Sequence, residues 1–172
     1  MLVLVIVVIF LKTDLNKELD MISINIEAMH ILTKLYLQKV EGKKAYLLNV
    51  ASSAGLIYAG PYMATYYATK AYVTSFTQAI AMELKEKMSP TYIGCLCPGP
   101  VRTEFNKVAN VKFALPSMSA KRCARYALKM MKLRKVVIVP TITMKFVIFV
   151  ERFIPRSIYV MCVSMQQRRK IQ

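Results

Sequence analysis

A chain of 172 residues is long enough for one domain with a buried core, and at 56% hydrophobic it calls for a well-buried sheet or some contact with membrane. Charge is lopsided: residues 1–100 carry nine Lys/Arg and seven Asp/Glu, whereas residues 101–172 carry sixteen and two, net +14 of the total +16. Such a basic half is either a solvated face or one that meets bound phosphates, an acyl carrier or an acidic lipid surface. With neither zinc-finger spacing nor an aromatic–basic RNA signature, nucleic acid is not an expected partner. The four cysteines (Cys95, Cys97, Cys123, Cys162) form no C-x-x-C pair, and one histidine, His30, adds no ligand cluster, so no metal is expected. Reduced thiols in a cytoplasmic setting are the reading.

Residues 1–11 are an unbroken apolar run rich in β-branched side chains. It is too short to span a bilayer as a helix and lacks the marks of a signal peptide, so it predicts a strand buried on both faces. Asp14 can cap a helix over residues 15–40 whose core face is Leu19, Ile22, Ile26, Met29, Leu32, Tyr36 and Val40. His30 belongs to its surface or packing. A turn over residues 41–44 leads into a strand over 45–50 that runs into Ser52, Ser53, Ala54 and Gly55. After Gly60 and Pro61 a helix opens near Ala64 and continues to about Met88, where Ser89-Pro90 ends it. Residues 91–97 form the next strand, broken by Pro98-Gly99-Pro100. Strand, helix and strand of these lengths make a βαβ unit and a parallel sheet. Ligands bind at the carboxyl ends of such strands, where Ser53 and Pro98-Gly99 fall.

Residues 104–118 read as a mobile, partly apolar segment in which Phe105, Val108, Phe113 and Leu115 either line a pocket or pack. Ser119 caps a helix over about 120–133, and Val136 to Val139 form a short last strand ended by Pro140. Residues 141–170 read as one helix interrupted near Pro155, or two, dense in apolar residues and punctuated by Lys145, Arg152, Arg156 and Arg168 to Lys170. That pattern suits a membrane-surface helix, a dimer interface or a lid over a greasy substrate.

The chemistry concentrates in residues 49–70. Tyr66 and Lys70 are four apart and share one helix face; Ser53 lies thirteen residues before Tyr66 at the strand end. A phenol is a poor acid or base at neutral pH, and a nearby ammonium lowers its pKa. So tuned, it can give a proton to a carbonyl oxygen or take one from an alcohol, while a serine hydroxyl holds that oxygen. Neither step moves a hydride, so the site needs a redox cofactor. Tyr67 is the rival phenol, but its spacing of three from Lys70 breaks the pattern.

Three blocks in this order, Asn49-Val-Ala-Ser-Ser-Ala-Gly55, Tyr66-Tyr-Ala-Thr-Lys70-Ala and Cys97-Pro-Gly-Pro-Val-Arg-Thr103, resemble the short-chain dehydrogenase/reductase family. The resemblance covers about residues 15–172. It implies an α/β fold, a Rossmann-like doubly wound parallel sheet, and NAD or NADP as cofactor. By resemblance Tyr66 is the acid/base, Lys70 lowers its pKa and holds the nicotinamide ribose, and Ser53 polarises the substrate oxygen. Asn25, in Asn25-Ile-Glu-Ala28, matches the asparagine that supports a water-linked proton relay. Pro98, Gly99, Val101 and Thr103 match the segment at the nicotinamide end, and the region after Thr103 folds over the substrate.

The family's glycine-rich phosphate cradle and its second strand have no counterpart among Gly42, Gly55, Gly60, Gly94 and Gly99. The chain therefore reads as the C-terminal part of the fold, without the first strands: one partial domain over 1–172, with 141–172 a basic, apolar helical extension. The expected function is an NAD(P)-dependent oxidoreductase interconverting a lipophilic carbonyl and its alcohol. The alternative is an inactive, truncated member acting as a membrane-associated or assembly module. Expected partners are the small-molecule substrate, a peripheral membrane surface met through 141–172, and a second copy of the chain. On either reading the chain by itself is expected to bind NAD(P) weakly.

Overall fold

The computed structural model describes residues 7–102 and 117–168. A three-stranded parallel sheet positions the site: β1 (Tyr46–Val50), β2 (Tyr92–Leu96) and β5 (Val137–Ile138), in the order β1-β2-β5. Tyr46 pairs with Tyr92 and Val50 with Leu96, so β1 and β2 end level with each other; Cys95 and Leu96 then pair with Val137 and Ile138. Two short strands, β3 (Val101–Arg102) and β4 (Met118–Ser119), pair separately, also in parallel. The fold is the Rossmann-like α/β arrangement of a parallel sheet with helices packed on it. β2 is buried along its whole length, as a central parallel strand must be.

The long helix α3 (Ala64–Glu86) crosses from β1 to β2 and packs on β2. Before it come α1 (Leu15–Ile22) and α2 (Met29–Lys39), joined without a break by a π-helical stretch, Ser23–Ala28. Asp14 caps α1 as its sequence position predicts, accepting from the Asn16 N–H at 2.9 Å. After β4 the chain forms α4 (Ala120–Lys132), capped by Ser119, then α5 (Ile142–Val150) and α6 (Arg156–Arg168). A short 3-10 turn, Glu151–Phe153, and Pro155 separate the last two, so residues 141–168 are two helices.

Two expectations fail. Residues 7–11 form no strand; Phe10–Lys12 is a 3-10 turn, with Phe10 58% and Leu11 91% exposed. None of the described strands pairs with residues 7–11, although β1 is an edge of the sheet; the chain turns there, through Phe10–Lys12, toward the Asp14 cap of α1 instead of extending. The face of α1–α2 is also rotated from the predicted one. Leu19, Ile22 and Leu32 are exposed, while Glu18, Met21, Asn25 and Thr33 are buried.

The rotation has a polar cause. Thr33 Oγ1 donates to Asn49 Oδ1 at 3.2 Å, and Asn49 Nδ2 donates to Thr77 Oγ1 at 3.0 Å, which donates onward to the Val73 carbonyl at 2.7 Å. This buried ladder ties α2 to β1 and to α3, and a satisfied polar core can hold a helix face that hydropathy assigns to solvent. The apolar core lies elsewhere, in two clusters: Ala51, Val73, Cys95 and Cys97 on the α3 side, and Leu96, Cys123, Ala127 and Ile138 under α4.

Candidate active site

The carboxyl ends of β1 and β2 are held together by two backbone bonds: the Ala51 N–H donates to the Leu96 carbonyl at 2.9 Å and the Ser53 N–H to the Pro98 carbonyl at 2.8 Å. β1 is followed by Ser52, in extended backbone at φ −163° and ψ 161°, and then by a 3-10 turn over Ser53–Gly55. Ser52 is the cap of that turn, accepting from the Ala54 N–H at 3.2 Å. Its hydroxyl is also near enough to the Tyr66 phenol to pull that phenol's pKa downward. Ser53, by contrast, lies inside the turn and is buried. The hydroxyl that pulls on the phenol's pKa is thus that of Ser52, the neighbour of the Ser53 singled out by sequence.

Gly55 makes this packing possible. A Cβ there would stand 2.2 Å from the Lys70 carbonyl oxygen and 2.6 Å from Thr74 Oγ1. The turn can thus press against the first turns of α3 only with a glycine at this position.

Tyr66 and Lys70 both lie on the first two turns of α3. Lys70 is 2% exposed, and its Nζ donates to the Val50 carbonyl at 3.4 Å and stands 5.8 Å from the centroid of the Tyr66 ring. Burial lowers its pKa to about 8, partly opposed by the neighbouring Cys97 thiol. The Tyr66 phenol is pushed up from its ordinary value by burial, with the Ser52 hydroxyl pulling weakly the other way. Lys70 thus lies over the ring face and does not lower the phenol's pKa as the spacing alone suggests. Desolvation wins because both groups are removed from water.

Asn25 is buried and donates from Nδ2 to Thr69 Oγ1 at 3.2 Å, and Thr69 Oγ1 donates in turn to the Tyr66 carbonyl at 2.8 Å. The asparagine of the π-helical stretch is thereby linked to the turn of α3 that carries both Tyr66 and Lys70. A π-helical insertion often marks such a functional position. Tyr67 is directed elsewhere: its hydroxyl accepts from Gln167 Nε2 at 3.0 Å, its ring covers Gly60, and burial raises its pKa to about 12. His30 stacks on Phe76 with centroids 4.6 Å apart and bonds the Tyr72 hydroxyl at 2.6 Å, a packing role on the outer face.

A small cavity beside Tyr66 is lined by Thr13, Glu18, Met21, Tyr62 and Met63. Glu18, a buried carboxylate that accepts from the Thr13 hydroxyl, is a polar neighbour of Tyr66 outside the residues singled out by sequence. Its i, i+3 relation to Met21, on a face that includes Asn25, was the available signal.

Of the residues assigned to the cofactor end, Pro98 and Gly99 sit at the mouth formed by the two strand ends. Val101 packs against the Leu96–Ile138 cluster, and Thr103 lies outside the described residues, as do Phe105, Val108, Phe113 and Leu115. The glycines also answer whether this chain can cradle a pyrophosphate. Gly55, Gly60, Gly94 and Gly99 are each closed by the chain's own atoms: the Lys70 carbonyl, the Tyr67 ring, the Tyr92 hydroxyl and Met144. Gly42 alone is open, in the turn before β1, with φ +71°. The residues present fit the proton-handling end of a dinucleotide site and do not fit its phosphate end.

Comparison with known proteins agrees with the fold. The family model for short chain dehydrogenase matches residues 5–113. The chain is 34% identical over 106 residues to the very-long-chain 3-oxoacyl-CoA reductase of Anas platyrhynchos, covering 60% of this chain and 33% of that protein. It is 32% identical over 104 residues to the 17-beta-hydroxysteroid dehydrogenase type 3 of Mus musculus, again 60% of this chain and 33% of the relative. Among solved structures, the short-chain dehydrogenase from Sphingobium yanoikuyae in complex with NADPH superposes with a TM-score of 0.70 at 25% identity, covering 82% of this chain and 55% of that one. The chain spans about a third of the length of the curated relatives it matches. Carried by its parallel sheet, by the Tyr66–Lys70 helix and by a match over most of its length, the chain belongs to the short-chain dehydrogenase/reductase family of oxidoreductases.

Proposed function

We propose that this chain carries the proton-transfer half of an NAD(P)-dependent oxidoreductase that interconverts a lipophilic ketone and its alcohol. The observation that supports it best is the buried Tyr66–Lys70 pair of α3, with Lys70 Nζ 5.8 Å from the Tyr66 ring centroid and bonded to the Val50 carbonyl at the end of β1. In reduction, Tyr66 Oη donates its proton to the substrate oxygen; in oxidation it accepts one. Ser52 Oγ hydrogen-bonds the same oxygen and fixes it within reach of the phenol. Ser53 then serves the fold, through its backbone bond to Pro98.

Lys70 holds the base of the site from the Val50 carbonyl and, together with Pro98 and Gly99, borders the place where a nicotinamide would lie. Val101 and Thr103 belong to the same border by their motif. The cofactor, when bound, supplies or accepts the hydride. Asn25 positions the α3 turn through Thr69 and offers an amide to a proton path toward solvent. A lipophilic substrate is favoured by the relatives, whose names denote a 3-oxoacyl thioester reductase and a hydroxysteroid dehydrogenase.

The closed glycines favour a second reading, a family member without catalysis of its own. One assay separates the two: oxidation of NADPH and of NADH by the 172-residue chain, at millimolar cofactor, with a 3-oxoacyl thioester and a steroid ketone. The first reading expects slow turnover that falls by about 100-fold or more in Tyr66→Phe with the circular dichroism spectrum unchanged. No turnover with any pair, or turnover that survives Tyr66→Phe, overturns it.

A further inference from the structure

The sequence places most of the positive charge in residues 101–172, and the structure shows where part of it stands. Along α4, Lys121, Arg125, Lys129 and Lys132 recur at i, i+4, i+8 and i+11, all exposed, while Cys123 and Ala127 on the opposite side are buried. This is one continuous cationic stripe. Along α5 and the turn after it, Ile142, Phe146, Phe149 and Phe153 recur at i, i+4, i+7 and i+11. They are 84%, 67%, 57% and 73% exposed, and Phe149 and Phe153 meet edge to face at 5.3 Å, as side chains of one stripe do. Three exposed phenylalanines in a row are far from the scattered apolar residues of an ordinary surface.

The two stripes are neighbours. Lys145, on the flank of the aromatic stripe, donates to the Tyr126 hydroxyl of α4 at 3.0 Å and lies 5.5 Å over its ring. Arg152 flanks the same stripe seven residues on and is exposed. The single acidic residue of 117–168, Glu151, is 3% exposed, so no carboxylate faces outward from either helix.

We propose that the α4–α5 face docks on an anionic phospholipid bilayer, with the phenylalanines in the headgroup–acyl boundary and the α4 cations against the headgroups. Among the described residues no helix is long and apolar enough to cross a membrane, so the contact is with its surface. An aromatic stripe that enters only the boundary region, bordered by cations, is what an in-plane helix requires. A second copy of the chain is the weaker occupant, because a self-complementary contact through this face sets two cationic stripes against each other with no acidic partner. The inference stands independently of the catalytic reading.

The test is vesicle flotation of the 172-residue chain with phosphatidylcholine alone and with phosphatidylcholine/phosphatidylserine, at low and high salt. The chain is expected to float with the anionic vesicles, at least about tenfold more weakly with neutral ones, and less at high salt. Phe146→Ser/Phe149→Ser/Phe153→Ser and Lys121→Glu/Lys129→Glu are each expected to reduce binding by at least about tenfold with an unchanged thermal midpoint. Absence of flotation with anionic vesicles, or equal flotation of the folded variants, overturns the proposal. So does a dimer in sedimentation equilibrium that the triple Phe variant converts to monomer.

Discussion

The Tyr66 phenol is protonated well past neutral pH, because burial raises its pKa and Ser52 alone opposes that shift. On the proposed chemistry, ketone reduction needs the protonated phenol and so keeps its proton donor across the neutral range. Alcohol oxidation needs phenolate and gains rate only as pH rises above the ordinary range of a phenol. A pH–rate profile for oxidation with its midpoint near neutrality would contradict this and put Lys70 in control of the phenol. Lys70 itself has the opposite sign of linkage to stability. Its pKa in the fold, about 8, lies below the 10.5 of an exposed lysine, so the unfolded chain holds the proton more tightly. The group therefore destabilises the fold below pH 8 by about 3 kcal/mol, a penalty that fades as pH rises from about 8 to 10.5. Urea unfolding should find Lys70→Met more stable by about 1–3 kcal/mol at neutral pH and by little or nothing above pH 10.5. A loss of stability at neutral pH would show that the bond to Val50 outweighs the desolvation cost.

At the scale of elements, the turn after β1 depends on a single missing side chain. Gly55→Ala drives a Cβ into the Lys70 carbonyl and should cost about 3 kcal/mol, whereas Gly42→Ala, which meets nothing but sits at φ +71°, should cost about 1 kcal/mol. Thermal melts of the two variants compare these directly; equal losses would show that the turn can relax. The same elements show what a sequence can disclose. The βαβ unit was legible because β1, α3 and β2 announce themselves by apolar runs, length and the Ser89-Pro90 stop, and the Tyr66–Lys70 face follows from helical period alone. The Asp14 and Ser119 caps were legible for the same local reason. The buried face of α1–α2 was not, because Asn25, Thr33, Asn49 and Thr77 bury by pairing with each other across the sequence, and hydropathy does not register a partner. Nor could spacing decide between Ser52 and Ser53, since both stand within three residues of the end of β1.

For the molecule as a whole, α6 returns to the site from about 100 residues away. Gln167 donates to Tyr67, Arg168 donates to the Tyr62 hydroxyl at 2.6 Å, and Arg156 lies 4.7 Å over Tyr58, which meets Tyr159 edge to face. The last helix thus clamps the loop between Gly55 and Ala64 that leads into the first turn of α3, which carries Tyr66. Gln167→Ala should cost about 1–2 kcal/mol and speed amide hydrogen exchange in residues 57–67 more than in β2. Uniform acceleration across the sheet would show instead that α6 is needed for the fold and not for that loop. The proposed lipid face lies on other helices, α4 and α5, whose exposed stripes these contacts do not involve.

The most direct test of the central claim compares two adjacent serines. Ketone reduction should fall by about 100-fold in Ser52→Ala, which removes the hydroxyl at the Tyr66 phenol, and stay near that of the unaltered chain in Ser53→Ala once folding is matched. The reverse result, with Ser53→Ala inactive and Ser52→Ala active, would contradict the account and return the substrate oxygen to the inner serine.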